Sequence, residues 1–256
     1  MNNLIYCTMC GQRLASEWCF EEIFYWRTYQ RPSICHQCRQ YFQPIQTRLR
    51  CAHCYRYLYQ DSEDVHLIPH ECHHQTYCQE CLQWQERLPH ISLHNQVLFE
   101  FNEGMKAWIH RYKYLGDYQY ADIMTDILKE KIQMYHDYHW VTIPSAPQTI
   151  QDRGFKATDH LLEVCGIAPY PLLRYHGDAS RQATKTRQER IHRPQVYELN
   201  HDQYNPSHRY ILFDDIYTTG STLMRAKSAI FQGMKRIDPK VTCLDMPSIC
   251  LAREVL

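Results

Sequence analysis

The chain lacks any excess of charge, since its 28 lysines and arginines balance 28 aspartates and glutamates over 256 residues. Overall charge therefore predicts no acidic or nucleic-acid partner, and any such contact must come from local basic clusters. A run of about 18 apolar residues is also missing, so no membrane-spanning helix is expected. The N-terminus has no basic segment followed by an apolar core, which argues against a secretory signal and predicts a cytoplasmic protein.

Two nucleotide-binding motifs are absent as well. None of the 8 glycines is followed by lysine, so there is no Walker A loop, and Gly-x-Gly-x-x-Gly does not occur. These absences exclude a P-loop ATPase and a dinucleotide-binding fold that uses this glycine fingerprint.

Cysteine, by contrast, is abundant. Ten of the 13 cysteines lie in the first 81 residues, and eight of those form Cys-x-x-Cys pairs. Thiols in a reducing cytoplasm seldom form disulfides. A Cys-x-x-Cys turn presents two thiolates to one metal ion, and two such turns complete a tetrahedral zinc site. The simplest assignment places Cys7, Cys10, Cys35 and Cys38 in one site, and Cys51, Cys54, Cys78 and Cys81 in a second.

The spacing leaves alternatives open. Pairs one and three could share an ion, and a thiolate could be replaced by one of five nearby residues: His36, His53, Cys72, His73 or His74. Redox-active or merely buried cysteines are a further interpretation. The cysteines without pair spacing are expected to be ordinary thiols: Cys19, Cys165, Cys243 and Cys250.

Four thiolates would close each site to water, so we expect about two structural zinc ions and no catalytic one. Residues 1–90 show little apolar periodicity. Structural zinc supplies roughly 10–16 kcal/mol of apparent binding energy, which would stabilise so small a core.

After residue 90 the pattern becomes that of an α/β domain. Strands are expected at residues 96–101, 140–144, 209–213 and 241–244. Helices are expected over 105–112, after 116–117, after Gly154 and from about Thr219. This alternation predicts a mostly parallel twisted sheet flanked by helices. We therefore expect two domains, a zinc-binding domain over 1–90 and an α/β domain over 91–256.

The most informative segment follows the strand at 209–213. Asp214 and Asp215 come first, and a turn of small residues then leads into a helix. The backbone N–H groups of the turn would face a phosphate at the positive end of the helix dipole. The two carboxylates could bind a ribose diol, directly or through a metal ion. Two other interpretations remain. The segment could be a Walker B strand without its Walker A loop, or an acidic turn that caps a helix. The turn consists of Thr218, Thr219, Gly220, Ser221 and Thr222.

Residues 214–222 resemble the 5-phosphoribosyl-1-diphosphate (PRPP) motif of type I phosphoribosyltransferases. Three further segments are similar to signatures of the ComF (ComFC) competence proteins. They are residues 111–117 (Arg-Tyr-Lys-Tyr-Leu-Gly-Asp), residues 141–155 (Val-Thr-Ile-Pro, then Asp-Arg-Gly-Phe) and the basic residues 181–190. The cysteine pairs match the longer members, so the resemblance covers nearly the whole chain. The sequence departs from the family at Thr142, where the family has proline, and at Lys156-Ala157, where it has Asn-Gln.

The resemblance implies a type I phosphoribosyltransferase-like fold and a role in natural transformation. The zinc module would bind single-stranded DNA or a helicase-like partner, and the pocket would bind PRPP or a similar phosphorylated ribose. Asp214 and Asp215 would hold the ribose and residues 218–222 the 5-phosphate. Lys185 and Arg187 would neutralise the diphosphate. The alternative is an active phosphoribosyltransferase of nucleotide metabolism that uses Mg²⁺ with PRPP, and a zinc-stabilised adaptor with a vestigial pocket is a third interpretation.

The basic run around residues 181–190 is open to other interpretations as well. It fits a solvated surface loop, or a contact for the phosphates of single-stranded DNA. Arg111 and Lys113, at a predicted helix end, fit a solvated or capping role as well as a ligand contact.

Overall fold

The computed structural model describes residues 5–14, 33–45, 49–59, 63, 68–72, 75–177 and 195–254. The predictions for Cys19, for His73 and His74, and for the basic residues of 181–190, Lys185 and Arg187 among them, lie outside the described residues.

Short elements surround the cysteine pairs. Strand β1 (Ile5–Tyr6) pairs antiparallel with β2 (Arg13–Leu14), and this hairpin holds the first pair. Helix α1 (His36–Arg39) begins where the Cys35 side chain accepts a hydrogen bond from the Cys38 amide. Strands β3 (His70–Cys72) and β4 (Gln75–Tyr77) form a second hairpin, which leads through Cys78 into α2 (Gln79–Arg87).

The rest of the chain alternates strands and helices. In chain order the elements are β5 (Asn95–Glu100), α3 (Glu103–Tyr114), a 3₁₀ turn (Tyr118–Ala121), α4 (Asp122–Met134), β6 (Tyr138–Thr142), α5 (Pro147–Arg153), α6 (Ala157–Glu163), β7 (Leu173–Tyr175), β8 (Tyr197–Leu199), a 3₁₀ turn (His201–Gln203), β9 (Arg209–Tyr217), α7 (Ser221–Ile237) and β10 (Ser248–Arg253).

Four of these strands form one parallel sheet in the order β5-β10-β9-β6. Strands β7 and β8 form a separate antiparallel pair. The expected parallel α/β architecture is therefore confirmed. No helix in the described part of the chain is long and apolar enough to span a bilayer.

Both faces of the sheet are covered. On one face, apolar side chains of α3, α4 and α6 pack against Ile211 and Phe213 of β9. On the other face, α7 packs against Leu212 and Cys250. Cys7 and Cys38 belong to the first core, whereas four other cysteines belong to the second: Cys51, Cys54, Cys78 and Cys81. The two groups of paired cysteines therefore lie on opposite faces of the sheet.

Three element predictions need correction. Residues 241–244 form no strand, because Leu244 makes only an isolated bridge to Ile91. The last strand is β10, whose six residues are all buried, as expected for a central parallel strand with helices on both sides. Strand β9 extends through Tyr217, so Asp214 and Asp215 belong to the strand and not to a loop. Helix α7 begins at Ser221, two residues later than expected.

Candidate functional site

Two compact groups of cysteines are present, and we call them the first cluster (Cys7, Cys10, Cys35, Cys38) and the second cluster (Cys51, Cys54, Cys78, Cys81). Within each cluster the four Sγ atoms lie within 4.8 Å of one another. The assignment of successive pairs to one site is confirmed, and the interleaved arrangement is wrong. Among the described residues, neither His36 nor His53 joins either cluster.

The sulfur positions fit tetrahedral zinc. Zn–S bonds of about 2.3 Å separate the sulfurs of a regular tetrahedron by about 3.8 Å. The Sγ atoms of Cys10 and Cys35 are 3.8 Å apart, and those of Cys54 and Cys78 are 3.6 Å apart. Four thiolates leave no open coordination position, so these sites are suited to a structural role.

The clusters differ in burial. In the first cluster Cys10 is exposed and Cys35 is half-buried, whereas every cysteine of the second cluster is at most 1% exposed. The second cluster is thus part of the protein interior, whereas the first has two buried cysteines, Cys7 and Cys38, and is accessible to solvent at Cys10.

A cavity of ≈ 580 Å³ opens at the carboxyl ends of β6 and β9, and we call it the carboxyl-edge cavity. Residues 143–146, which follow β6, form one wall. Asp214 and Asp215 of β9 line another wall, together with Thr222 in the first turn of α7. Open parallel sheets bind ligands at this edge, because loops and helix N-termini converge there.

The two carboxylates are held in place by the backbone and by a cation. Asp214 Oδ1 accepts a hydrogen bond from the Asp215 amide at 3.0 Å, and Asp215 Oδ1 accepts one from the Ile216 amide at 2.6 Å. The other oxygen of Asp215 forms an ion pair with the Lys113 ammonium, and both side chains are mostly buried. The pair is therefore ordered before any ligand binds.

Helix α3 resolves the open question about residues 111–117. Arg111 Nε donates to Asp117 Oδ2 at 2.9 Å, and its guanidinium lies over the Tyr120 ring, so its role is structural. Lys113 instead lines the carboxyl-edge cavity, as do Arg153 and Arg225. Three cationic side chains thus line the same cavity as the carboxylate pair, which suits a ligand that carries phosphate groups as well as hydroxyls.

The 218–222 segment is packed firmly beneath this site. The Thr219 carbonyl accepts a hydrogen bond from Trp84 Nε1 at 2.8 Å, and Thr219 Oγ1 accepts one from the Ser221 amide at 3.4 Å. Thr219 and Ser221 are buried, Thr218 is half-buried, and Thr222 lines the cavity. Of the predicted phosphate-binding residues, Thr222 is therefore the one that contributes to the cavity wall.

Gly220 is required for this turn. Its φ is +76°, and a Cβ atom there would lie 2.2 Å from Tyr217 Oη. Gly166 is a matched control, because its φ is +80° but nothing lies within 4 Å of a Cβ. Gly166→Ala should cost about 1 kcal/mol of unfolding free energy from backbone strain. Gly220→Ala should cost about 1–3 kcal/mol more. Urea denaturation of both variants measures this difference, and equal losses would contradict the packing of Tyr217 against Gly220.

The charge state of Asp214 leads us to predict that ligand affinity depends on pH. Desolvation of its carboxyl group and the neighbouring charge of Asp215 raise the pKa of Asp214 to about 7, although Lys113 acts in the opposite direction. The ribose diol that the sequence leads us to expect here would donate hydrogen bonds to the ionised form, so affinity for ribose 5-phosphate is expected to rise from about pH 6 to about pH 8. Asp214→Asn controls for titration of the phosphate itself. An identical pH dependence of the dissociation constant in this variant would contradict the assignment.

Thr142 and Lys156, at which the sequence departs from the family, both contact Asp159. Thr142 Oγ1 donates a hydrogen bond to Asp159, and Lys156 Nζ lies 3.6 Å from the other oxygen of that carboxylate. Neither departure is among the described residues that line the carboxyl-edge cavity. Thr142 and Lys156 thus form a local network with Asp159.

The sequence predicted Asp214, Asp215 and the eight clustered cysteines, but it missed Arg153, Arg225 and Trp84. Arg153 ends α5, and its Nε donates to the Lys113 carbonyl at 3.1 Å. The Arg-Gly-Phe match was a signal for Arg153. Trp84, three residues after Cys81, carried no signal that linked it to residue 219.

Comparison with known proteins places this geometry in context. No protein-family model matches the chain. It is 26% identical over 224 residues to competence protein ComFC of Streptococcus pneumoniae (strain ATCC BAA-255 / R6), covering 88% of this chain and 92% of that protein. It is 25% identical over 233 residues to competence protein ComFC of Bacillus subtilis (strain 168), covering 88% of each. Homology to ComFC competence proteins over most of the chain is thereby confirmed.

Proposed function

We propose that this homologue of the ComFC competence proteins acts in DNA uptake during natural transformation, and that its carboxyl-edge cavity binds PRPP or a similar phosphorylated ribose. The observation that carries the proposal is the ordered pair Asp214 and Asp215, which faces the cavity one turn before the N-terminus of α7. A pentose that carries both a diol and a phosphate fits this arrangement, with the diol at the carboxylates and the phosphate at the helix N-terminus.

Each part of the ligand has a counterpart in the chain. The 2- and 3-hydroxyls donate hydrogen bonds to the carboxylates of Asp214 and Asp215. The 5-phosphate lies beside Thr222 at the positive end of the α7 dipole, because Thr222 is the residue of 218–222 that lines the cavity. Lys113 and Arg153 line the same cavity and offset the charge of further phosphate groups. Magnesium bound with PRPP would supply additional neutralisation of the diphosphate.

The cysteine-bearing segments have the features of a surface for single-stranded DNA or a helicase-like partner. Three of their tyrosines are about half exposed: Tyr6 at 54%, Tyr41 at 49% and Tyr59 at 57%. Exposed aromatic rings stack on unpaired bases with little sequence preference. Arg13 and Arg39 are exposed on the same segments and can contact phosphates.

Complementation tests the functional proposal. In a competent strain that lacks its own ComFC, this chain should restore transformation, and the Asp214→Asn plus Asp215→Asn variant should reduce transformants at least about tenfold while the protein accumulates normally. Asp202→Asn is the control, because Asp202 is 75% exposed and pairs with Arg174 away from the cavity. Normal transformation by the double variant would show that the cavity is not needed for DNA uptake.

The second candidate is an active phosphoribosyltransferase, and the cationic wall of Lys113, Arg153 and Arg225 favours it. In that reaction an acceptor forms a bond to C1 of the ribose as the C1–O bond to diphosphate breaks, and the acceptor loses a proton. The wall would stabilise the departing negative charge. Release of diphosphate from PRPP only when a nucleobase is present would identify this activity.

A further inference from the structure

The second cluster is connected to the 218–222 segment through Trp84. Trp84 lies in α2, one turn after Cys81, and is 7% exposed. Its indole N–H donates to the Thr219 carbonyl at 2.8 Å across 135 residues of sequence, and Thr219 is 2% exposed. The buried Thr219 carbonyl is cut off from water, so breaking this hydrogen bond would leave the carbonyl with no partner and would cost free energy. The bond therefore constrains the backbone at residue 219.

A buried ionic network forms a second connection. Glu80, next to Cys81, accepts from Arg56 Nη2 at 2.6 Å and lies 3.5 Å from Arg253 Nη2. All three side chains are at most 5% exposed. Two arginines against one glutamate leave a positive charge, which complements the net negative charge of zinc bound by four thiolates.

The network continues to the turn at Gly220. The Arg253 guanidinium lies 4.8 Å from the centre of the Tyr217 ring. The Tyr217 hydroxyl packs so closely against Gly220 that no Cβ fits between them. The Tyr217 carbonyl accepts a hydrogen bond from the Glu254 amide at 2.9 Å. Residues anchored to the second cluster therefore contact the chain at two points just before Gly220, at Tyr217 and at Thr219.

We propose that zinc in the second cluster holds the 218–222 segment in its ligand-binding conformation, with Trp84 as the positioning residue that transmits this constraint. The inference rests on the proposed phosphate-binding role of that segment. In this proposal the metal does more than stabilise the cysteine turns that bind it. Loss of the ion would release α2, and Trp84 in α2 would then no longer donate its hydrogen bond to Thr219.

The first cluster has no comparable connection among the described residues. It belongs to the core on the opposite face of the sheet, where the Tyr120 hydroxyl donates to the Met9 carbonyl at 3.3 Å. The chain also offers a matched tryptophan there. Trp108 is 1% exposed, and its Nε1 donates to the Tyr120 carbonyl at 2.9 Å. Trp108→Phe removes the same kind of buried hydrogen bond in the core on the opposite face of the sheet.

The test compares Trp84→Phe with Trp108→Phe, each carrying two zinc ions, by titration with PRPP and by hydrogen exchange of the peptide that contains residues 217–222. Trp84→Phe should weaken PRPP binding about 5- to 50-fold and accelerate exchange in that peptide. Trp108→Phe should leave both unchanged. Equal behaviour of the two variants, with PRPP bound normally by both, would overturn the inference and leave the proposed function standing.

A pair of cysteine variants tests the role of the metal itself. Cys54→Ser and Cys10→Ser each impair one cluster, and only Cys54→Ser should weaken PRPP binding and accelerate exchange at 217–222. If Cys54→Ser does not fold, the tryptophan pair decides. If the unmodified protein binds no PRPP, the proposed function fails, whereas exchange at 217–222 still decides whether Trp84 positions the segment.

Discussion

Replacement of both Asp214 and Asp215 by asparagine should weaken PRPP binding by a factor of about 100 or more. Each asparagine keeps the size of the side chain but removes the charge, and a hydrogen bond to a charged group contributes about 1.5–3 kcal/mol. Two such bonds correspond to roughly 3–6 kcal/mol, which spans factors of about 10² to 10⁴ in the dissociation constant. Isothermal titration calorimetry on folded, zinc-loaded protein measures the effect.

Lys113 also affects the behaviour of the double variant, and substitution of Lys113 serves as a control. Without Asp215 the ammonium of Lys113 loses its partner in a mostly buried position. Lys113→Met combined with the two asparagine substitutions removes that unpaired charge. The triple variant should recover stability but not affinity. Recovery of affinity would mean that the carboxylates only neutralise Lys113 and do not contact the ligand.

Removal of zinc should have the largest effect on stability. Each structural site contributes roughly 10–16 kcal/mol, and the whole stability of a domain is about 5–15 kcal/mol. The second cluster shares its core with Leu212 and α7 of the sheet, so its loss should affect the α/β part as well as the knuckles. We expect two zinc ions per chain and loss of cooperative thermal unfolding after chelation.

Elemental analysis and circular dichroism melting before and after chelation provide the measurement. Readdition of zinc should restore the original transition, which distinguishes metal loss from irreversible damage. Metal-free protein with an unchanged melting curve would contradict a structural role for the clusters. Because Cys10 is exposed and Cys54 is buried, the first cluster should release its ion earlier during chelation.

Local spacing was sufficient to predict which cysteines form the clusters and where the carboxylate pair lies. A Cys-x-x-Cys turn and an Asp-Asp pair after a buried strand are short-range patterns, and their chemistry follows from residues that are neighbours in sequence. Spacing left the pairing of the knuckles open, because that depends on how distant segments pack. The structure provides the answer, with the two clusters on opposite faces of the sheet.

Several of the missed features are long-range. Residues 248–253 follow Pro247 as a nearly continuous apolar run, and only their position between β5 and β9 shows that they are the central strand. The Lys113 ion pair with Asp215 and the Trp84 hydrogen bond to Thr219 join residues more than 100 positions apart. Periodicity and motif spacing contain no information about such contacts. The residues that line the cavity could therefore be predicted only in part.

We propose that Asp214, Asp215 and the N-terminus of α7 form a site for a phosphorylated ribose. Calorimetric titration of PRPP into zinc-loaded protein, with and without magnesium, tests it most directly. We expect saturable binding of one PRPP per chain with a dissociation constant below about 1 mM, and weaker binding of ribose that lacks the phosphate. Absence of saturable PRPP binding under both conditions, in protein that retains two zinc ions and melts cooperatively, would contradict it.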